Sequence, residues 1–581
     1  VPNADGTTRF RLWAPAAQQV QLEIEGTLPV TMTALPDGWH ECLVPCQTSA
    51  RYMFRLQNGM AVPDPASRFQ PADVHGPSEV VDAVAFQWRH PDWPGRPWHE
   101  AVIYELHPGL AGGFAGITER LQALCELGIT AIELMPIADF PGPRNWGYDG
   151  VLPFAPDSAY GTPTALKTLI DTAHGLGLMV LLDVVYNHFG PDGNYLHLYA
   201  PGFFCEGAAT PWGPAIDFAR PEVQDFFIDN ALYWLTEYRF DGLRLDAVNM
   251  IKPADFLPVL AQRVRAGVGT SRHVHLIVEH GGNAAHLLDG PYDAQWSDDW
   301  HHCVHVLLTG ESDGYYRDYQ NANIMLARCL AEGFAYQGEA SPRLGRPRGE
   351  PSEHLPPSAF VTYLQNHDQI GNRAFGERLT RLTPPDALRA ATALLLLAPN
   401  IPLLFQGEED GAETPFYFFT SFPPKLGAQV RAGRAREFAS FTGFADSTPL
   451  PDPNAETTYQ ASRPQADPAI AKVTRAFYAQ LLAVRHKYIV PRIPGLRSLS
   501  AQPLGTHAVR AVWRAADGAR LTIAVNLGTN ALDIDLTACF SSSRITLFES
   551  GRGAAQAVLS GTLPSYATVA FIEATGEENQ T

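Results

Sequence analysis

The chain opens with short segments in which apolar and polar residues alternate, at positions 8–13, 20–24 and 52–56, separated by Asp-Gly, Asn-Gly and Pro. A period of two bounded by turn residues marks half-buried strands, so residues 1–90 are expected to form a β-sandwich. Trp and Pro dominate residues 88–98. That stretch reads as a linker, assigned to residues 91–99 and ordered by its aromatic side chains, with a new domain beginning near Glu100.

Beyond the linker the period changes. Apolar runs at 102–106, 131–135 and 179–185 alternate with helical patterns at 117–127 and 164–176. A helix at 222–238 leads into the run ending at Asp246, and the segment 254–264 leads into the run ending at Glu279. Residues 294–296 supply a sixth strand and the run ending near Asn366 a seventh; a helix at 386–398 precedes an eighth at 401–406. Eight such repeats predict an α/β fold, a (β/α)8 TIM barrel with loop insertions over residues 100–490. Residues 343–352 carry too much Pro, Gly and charge for a regular element and are expected to be an exposed loop. After a last helix at 470–487, alternation returns at 509–513, 521–525 and 545–548, predicting a C-terminal antiparallel β-domain over 491–581 whose polar last residues, 576–581, fray.

Composition narrows the partners. A net charge of −19 repels nucleic acid and anionic membranes, whereas a neutral ligand is indifferent to it. The longest apolar run, 391–398, is stopped by Pro399 and is far too short to span a bilayer, so no membrane partner is expected. Seven cysteines are odd in number and scattered without disulfide or metal spacing, which fits reduced thiols in a cytoplasm; Cys42 and Cys46, the one close pair, read as structural.

Three acids each end a separate apolar run: Asp246, Glu279 and Asp368. A buried parallel strand delivers a side chain to the mouth of a barrel in this way, and barrel active sites lie at that mouth. Two carboxyls flanking one bond, one ionised and one protonated, are the minimum equipment for cleaving a glycosidic bond, and a third can orient hydroxyls. Arg244 lies two residues before Asp246 on the same strand face, where its guanidinium can keep that acid ionised. Glu279 needs the reverse, burial and a nearby negative charge that raise its pKa.

Together with Asp183 to His188, these segments resemble the ordered sequence regions of the α-amylase superfamily of retaining glycosidases and transglycosidases. The resemblance implies that Asp246 is the nucleophile, Glu279 the acid and base, and Asp368 the stabiliser. It also implies that His188 and His367 donate to sugar hydroxyls and that Tyr148 offers a ring face to the pyranose. Asp149 is expected to pair with Arg373 and wall off the non-reducing end. Asn187 occupies a position that in many α-amylases helps to bind calcium. No acidic cluster nearby supplies the roughly six to eight oxygens of such a cage, so neither a metal nor a cofactor is expected.

An N-terminal sandwich before the barrel resembles those of branching enzymes, isoamylases and maltooligosyltrehalose trehalohydrolases. Residues 296–311 with 314–316, 364–373, and 413–426 with 431–438 are similar to the trehalohydrolase pattern. Two departures stand out: Glu279 is followed by His280, Gly281, Gly282 and Asn283, and Asp410 stands where an aromatic is expected. The resemblance implies hydrolysis of the α-1,4 bond next to the terminal trehalose of maltooligosyltrehalose or a related α-glucan. Trp296, Asp299 and His301 then belong to the trehalose side, and a maltooligosyltrehalose synthase is the functional partner. A glucan branching enzyme or an isoamylase-like debranching hydrolase carries the same triad, and only the linkage of the product separates them. A non-catalytic glucan-binding scaffold would more usually lack one of the three acids.

Overall fold

The computed structural model describes residues 2–3, 5–210, 212–438, 449–534 and 544–573. The expected tail at 576–581 and Cys539 lie outside them. Eight parallel strands close into a barrel: β1 (Ile103–Leu106), β2 (Ala131–Leu134), β3 (Met179–Val184), β4 (Gly242–Leu245), β5 (His275–Val278), β6 (Ala294–Trp296), β7 (Phe360–Tyr363) and β8 (Ile401–Phe405), with β8 paired to β1. Every residue of every barrel strand is buried, as expected of parallel strands covered on both sides.

Alternation along these strands sorts the interior into layers. Ile103, Ala131, Met179, Leu181, Ile277, Ala294, Val361, Ile401 and Leu403 share one apolar cluster that fills the barrel. Two residues further along the same faces stand Glu105, Glu133, Asp183, Arg244 and Glu279, and two beyond Arg244 stands Asp246. The barrel is therefore apolar at its N-terminal end and charged at its C-terminal end. Gly242 begins β4 because a Cβ there would lie 2.6 Å from the His275 carbonyl oxygen.

The N-terminal segment forms two antiparallel sheets. One pairs Thr7–Trp13 with Trp39–Pro45 and Thr33–Ala34, and the other is built on Val20–Ile24 and Arg51–Leu56. Phe10, Leu12, Val20, Leu22, Phe54 and Leu56 share a buried core. The Trp-rich stretch is bolted to the barrel, with Trp93 Nε1 donating to Asp241 (2.8 Å) and Trp98 Nε1 to the Ser358 carbonyl (2.8 Å). At the other end a five-stranded antiparallel sheet (Arg497–Gly505, Ala508–Arg514, Arg520–Asn526, Ala567–Glu573, Arg544–Glu549) sits against helix Pro385–Leu397, to which Thr568 donates at the Ala390 carbonyl (2.7 Å). None of the described helices is long and apolar enough to cross a membrane.

Residues 343–352 form the expected loop, exposed over most of its length, but two of its side chains do not face solvent. Arg346–Pro347 pairs with Ala340–Ser341, and Arg348 and Ser352 turn inward and are buried. Arg348 is drawn in by Asp299 (2.8 Å), and Ser352 by the Glu332 carbonyl (2.6 Å).

Helix Pro385–Leu397 is almost wholly apolar, and its C-terminal carbonyls end in the interior. Arg485, itself without solvent exposure, satisfies them, donating to Leu396 (3.1 Å), Ala398 (2.6 Å) and Asn400 (2.6 Å). Arg485→Leu leaves those acceptors dry and is expected to cost roughly 3 kcal/mol, read as a fall of several degrees in Tm. A Tm within one degree of the parent would contradict this role.

Candidate active site

The three acids converge at the charged end of the barrel, where a single guanidinium joins Asp246 and Glu279 to Asp183. Arg244 Nη1 donates to Asp183 Oδ2 (2.6 Å) and Asp246 Oδ1 (2.9 Å), and its Nη2 donates to Glu279 Oε2 (2.6 Å). The guanidinium has no solvent exposure and lies 4.2 Å from the centre of the Trp296 ring. Trp296 thus forms the floor beneath Arg244, and Tyr363 and His367 pack against its ring.

Exposure grades the acids. The side chains are 12% exposed at Asp246, 23% at Glu279 and 36% at Asp368, so Asp246 lies deepest and Asp368 nearest the opening. Burial raises the Asp246 carboxyl; Arg244 opposes that shift, as does the Asn187 amide, which donates to Asp246 Oδ2 (2.7 Å) and to its carbonyl (2.8 Å). The charges of Asp183 and Asp368 add to burial and the net shift is upward, while the two donors favour the ionised form. Glu279 is pushed up to about 7, chiefly by burial and further by the charges of Asp246 and Asp368, against the pull of Arg244. It also accepts from the Ala247 N–H (3.0 Å), and Ala247 reaches that position by adopting a left-handed φ of 38°. One guanidinium thus serves two neighbouring carboxyls in distinct surroundings, the pairing of acids that acid-assisted displacement needs.

Around this centre the side chains take distinct places. Tyr148 donates its hydroxyl to Asp183 Oδ2 (2.6 Å) and its ring stacks on His367 (5.2 Å between centroids). His367 lies between the Glu105 carboxylate and Tyr148, with Nε2 2.9 Å from the tyrosine oxygen and 3.6 Å from Asp368 Oδ2. Both ring nitrogens of His188 are occupied within the protein, by the Tyr148 carbonyl (2.9 Å) and by Asn187.

The expected Asp149–Arg373 pair does not form. Asp149 accepts from Asn145 Nδ2 (2.6 Å), while Arg373 makes a two-pronged bond to Glu311 (2.8 and 2.8 Å) and a third to Glu377 (3.2 Å). Glu311 follows the helix Asp298–Thr309 and captures Arg373 before it can reach across the site.

A cavity of about 490 Å³ opens beside the acids, lined by Glu279, Asp298, His302, Tyr315, Asp368 and Arg373 among others. Neither Asp299 nor His301 reaches it. Asp299 is fully buried against Arg348 (2.8 Å), Asn283 (2.8 Å) and the N–H groups of Ala335 (2.8 Å) and Tyr336 (3.0 Å), and His301 Nδ1 is 2.6 Å from the Leu364 carbonyl. Their neighbours Asp298 and His302 face the cavity instead. Asp298 is pushed up to about 6 by burial, and the Glu279 charge adds to the shift. Asp410 pairs with Arg475 (3.0 Å). Sequence reasoning also missed Trp212, a partly exposed residue whose ring stacks on His188 with centroids 4.6 Å apart; it lies between the short strands Phe204–Thr210 and Gly213–Ile216 and carries no motif. Among the described residues no group of three or more His, Cys, Asp or Glu is arranged to hold a metal ion.

Residues 67–198 match the model of the alpha amylase catalytic domain, and residues 496–569 match a domain of unknown function. The malto-oligosyltrehalose trehalohydrolase of Deinococcus radiodurans is 43% identical over 471 residues, 80% of this chain and 78% of that protein. The enzyme of the same name from Saccharolobus solfataricus is 39% identical over 504 residues, 83% of this chain and 86% of that one. The chain belongs to the malto-oligosyltrehalose trehalohydrolase family. A crystal structure of a Salmonella typhimurium protein described as an alpha amylase superposes with a TM-score of 0.91 at 43% identity, covering 98% of each chain. Family membership extends over the barrel end described above, so the geometry of the acids and the relatives point to one chemistry.

Two substitutions separate the acids. Asp246→Asn is expected to lower turnover by at least about 10⁴-fold with folding intact, while Glu279→Gln should cost about 10³-fold on a natural glucan yet far less on a glycosyl fluoride, whose leaving group needs no proton. Equal losses of Glu279→Gln on both substrates would contradict its role. Read as the proton donor, Glu279 must be protonated, so kcat/KM is expected to fall with rising pH beyond about 7.

Proposed function

We propose that this chain hydrolyses the α-1,4-glucosidic bond adjacent to the terminal trehalose of maltooligosyltrehalose, releasing trehalose and a shortened maltooligosaccharide with retention of configuration. The observation that carries the reading is the Arg244 fork joining Asp246 to Glu279, in a chain of this family. Asp246 attacks the anomeric carbon as Glu279 gives its proton to the departing glycosidic oxygen, so that a glycosyl ester replaces the C–O bond. Glu279, now ionised, takes a proton from water, which attacks the same carbon and releases Asp246. Asp368 accepts from sugar hydroxyls at the opening of the site. Two carboxyls complete the bond-breaking, and the steps draw on no metal or cofactor.

Tyr148, Asp149 and His188 support the glycone on one side of Glu279. The cavity bearing Asp298, His302, Tyr315 and Arg373 receives the leaving sugar on the other, with Asp299 and His301 holding that wall from behind and Trp296 supporting the floor. His367 acts from beneath Tyr148. The α,α-1,1 bond of the substrate is not one this site makes, so a maltooligosyltrehalose synthase precedes the enzyme in a shared cytoplasmic route to trehalose. Separate incubations with maltooligosyltrehalose and with a plain maltooligosaccharide of equal length, followed by chromatography, test the assignment. Rapid release of trehalose from the first, with slow attack on the second, is the expected result. Formation of α-1,6 branches in amylose, or their removal from glycogen, without trehalose release would place the chain with the branching or debranching enzymes.

A further inference from the structure

Glu105 is buried in the barrel, carries no part of the displacement described above, and sits where β1 meets the catalytic layer. Its carboxylate pairs with His367 Nδ1 and also accepts from the His367 backbone N–H (3.2 Å). Both side chains are 1% exposed. On the far side of the imidazole, Nε2 points to the Tyr148 oxygen (2.9 Å), and the Tyr148 hydroxyl is already committed as a donor to Asp183 (2.6 Å). A hydroxyl that donates to Asp183 must accept from His367, so Nε2 carries a proton; Nδ1 carries another because it faces a carboxylate. The contacts therefore define a continuous chain in which His367 donates to Glu105 and to Tyr148, and Asp183 accepts from Tyr148 and from Arg244, which holds both Asp246 and Glu279.

Other groups facing the imidazole agree with that charge. Glu133 lies across from Glu105 on β2, and both of its oxygens lack a hydrogen-bond partner. Burial, with the charges of Glu105 and Asp183 adding to it, raises the Glu133 carboxyl far above the ordinary range, and Glu105 is the carboxyl that contacts His367. Asp368 and Asp183 favour the imidazolium and Arg244 opposes it. His107, just beyond β1, is driven down to about 4 by burial and stays neutral. Burial on its own would neutralise His367, yet Asp368 and Glu105 outweigh it and push the imidazole up to about 9.

We propose that Glu105 is a positioning residue for the reaction: by holding His367 doubly protonated, it fixes the hydrogen-bond chain that aligns Tyr148 and braces the Asp183–Arg244 pair beneath the two reacting carboxyls. The inference rests on the proposed retaining mechanism at this same site. Glu105→Gln keeps the shape and removes the charge, leaving His367 with one proton for two neighbours. On a natural glucan, kcat is expected to fall about tenfold or more with KM changed by less than about threefold.

The pH readout uses α-maltosyl fluoride, which needs no proton from Glu279, so its alkaline limb reports His367. That limb is expected near pH 9 in the parent and at least about one unit lower in Glu105→Gln, with Glu105→Asp, which keeps the charge, restoring much of the difference. An unchanged limb and unchanged kcat would overturn the proposal. If Glu105→Gln does not fold, ¹³C-labelled histidine in the parent protein decides the matter. The His367 resonance, assigned by its loss in His367→Gln, is expected to stay at the cationic position from pH 6 to about 8, and a neutral signal at pH 7 would overturn the proposal. Should the parent release no fluoride at all, the functional reading falls, while the resonance still decides the role of Glu105.

Discussion

A single buried cation, Arg244, is the constraint on which the rest of the site depends. Taking a guanidinium out of water costs several kcal/mol even after relaxation, and it is tolerable only where anions converge on it. Here three carboxyls do so, from β3 and from the ends of β4 and β5, with the Trp296 ring beneath as a fourth wall. Strand alternation brings them together, because Asp183 and Glu279 stand in the inward-facing layer above the apolar plug and Asp246 in the next one up. Without the cation, three buried carboxyls would repel one another and take up protons.

The difference between Asp246 and Glu279 comes from the surroundings of each acid and not from residue type. Each has an Arg244 contact and two negative neighbours, but Asp246 lies deeper and takes the Asn187 side-chain amide at both its carboxylate and its carbonyl, whereas Glu279 takes the Ala247 backbone N–H and is pushed up to about 7. Around them the polar interior is one connected network from Glu105 on β1 to Arg244 on β4, and the wall opposite is assembled around Asp299, which ties the helix Asp298–Thr309 to Asn283, Tyr336 and Arg348. Two buried charge centres therefore divide the labour: Arg244 governs the protons, and the Asp299–Arg348 pair holds the shape of the cavity.

The barrel and its acids were legible in the sequence because both depend on local pattern. An apolar run of four or five residues ending in a carboxylate reports strand, burial and position at once, which is why Asp246 and Glu279 stood out, whereas Asp368 follows its strand at a distance, in the short helix His367–Gly371. Even the three-residue β6 could be placed, by its order between β5 and β7. Choices made between distant segments were not legible. Asp298 and Asp299 are adjacent acids at the start of one helix, and which of them faces the cavity is decided by Arg348, 49 residues later in the chain, from a stretch whose Pro and Gly content suggested an exposed loop. Arg373 was free to reach several acids, and Glu311 captures it with two bonds where Asp149 offers none. Glu105 went unnoticed because a lone acid inside an apolar run has no motif until the fold brings His367 against it.

The most direct test of the account is to trap the intermediate on the deep, ionised acid. Incubation with a 5-fluoro-α-maltosyl fluoride slows departure from the enzyme, and mass spectrometry of the digested protein locates the sugar. The account predicts one glycosyl group, bound through an ester to Asp246, and none in Asp246→Asn. A sugar on Glu279, or no covalent species together with a product of inverted configuration, would contradict the assignment of two proton states to the two carboxyls that Arg244 holds.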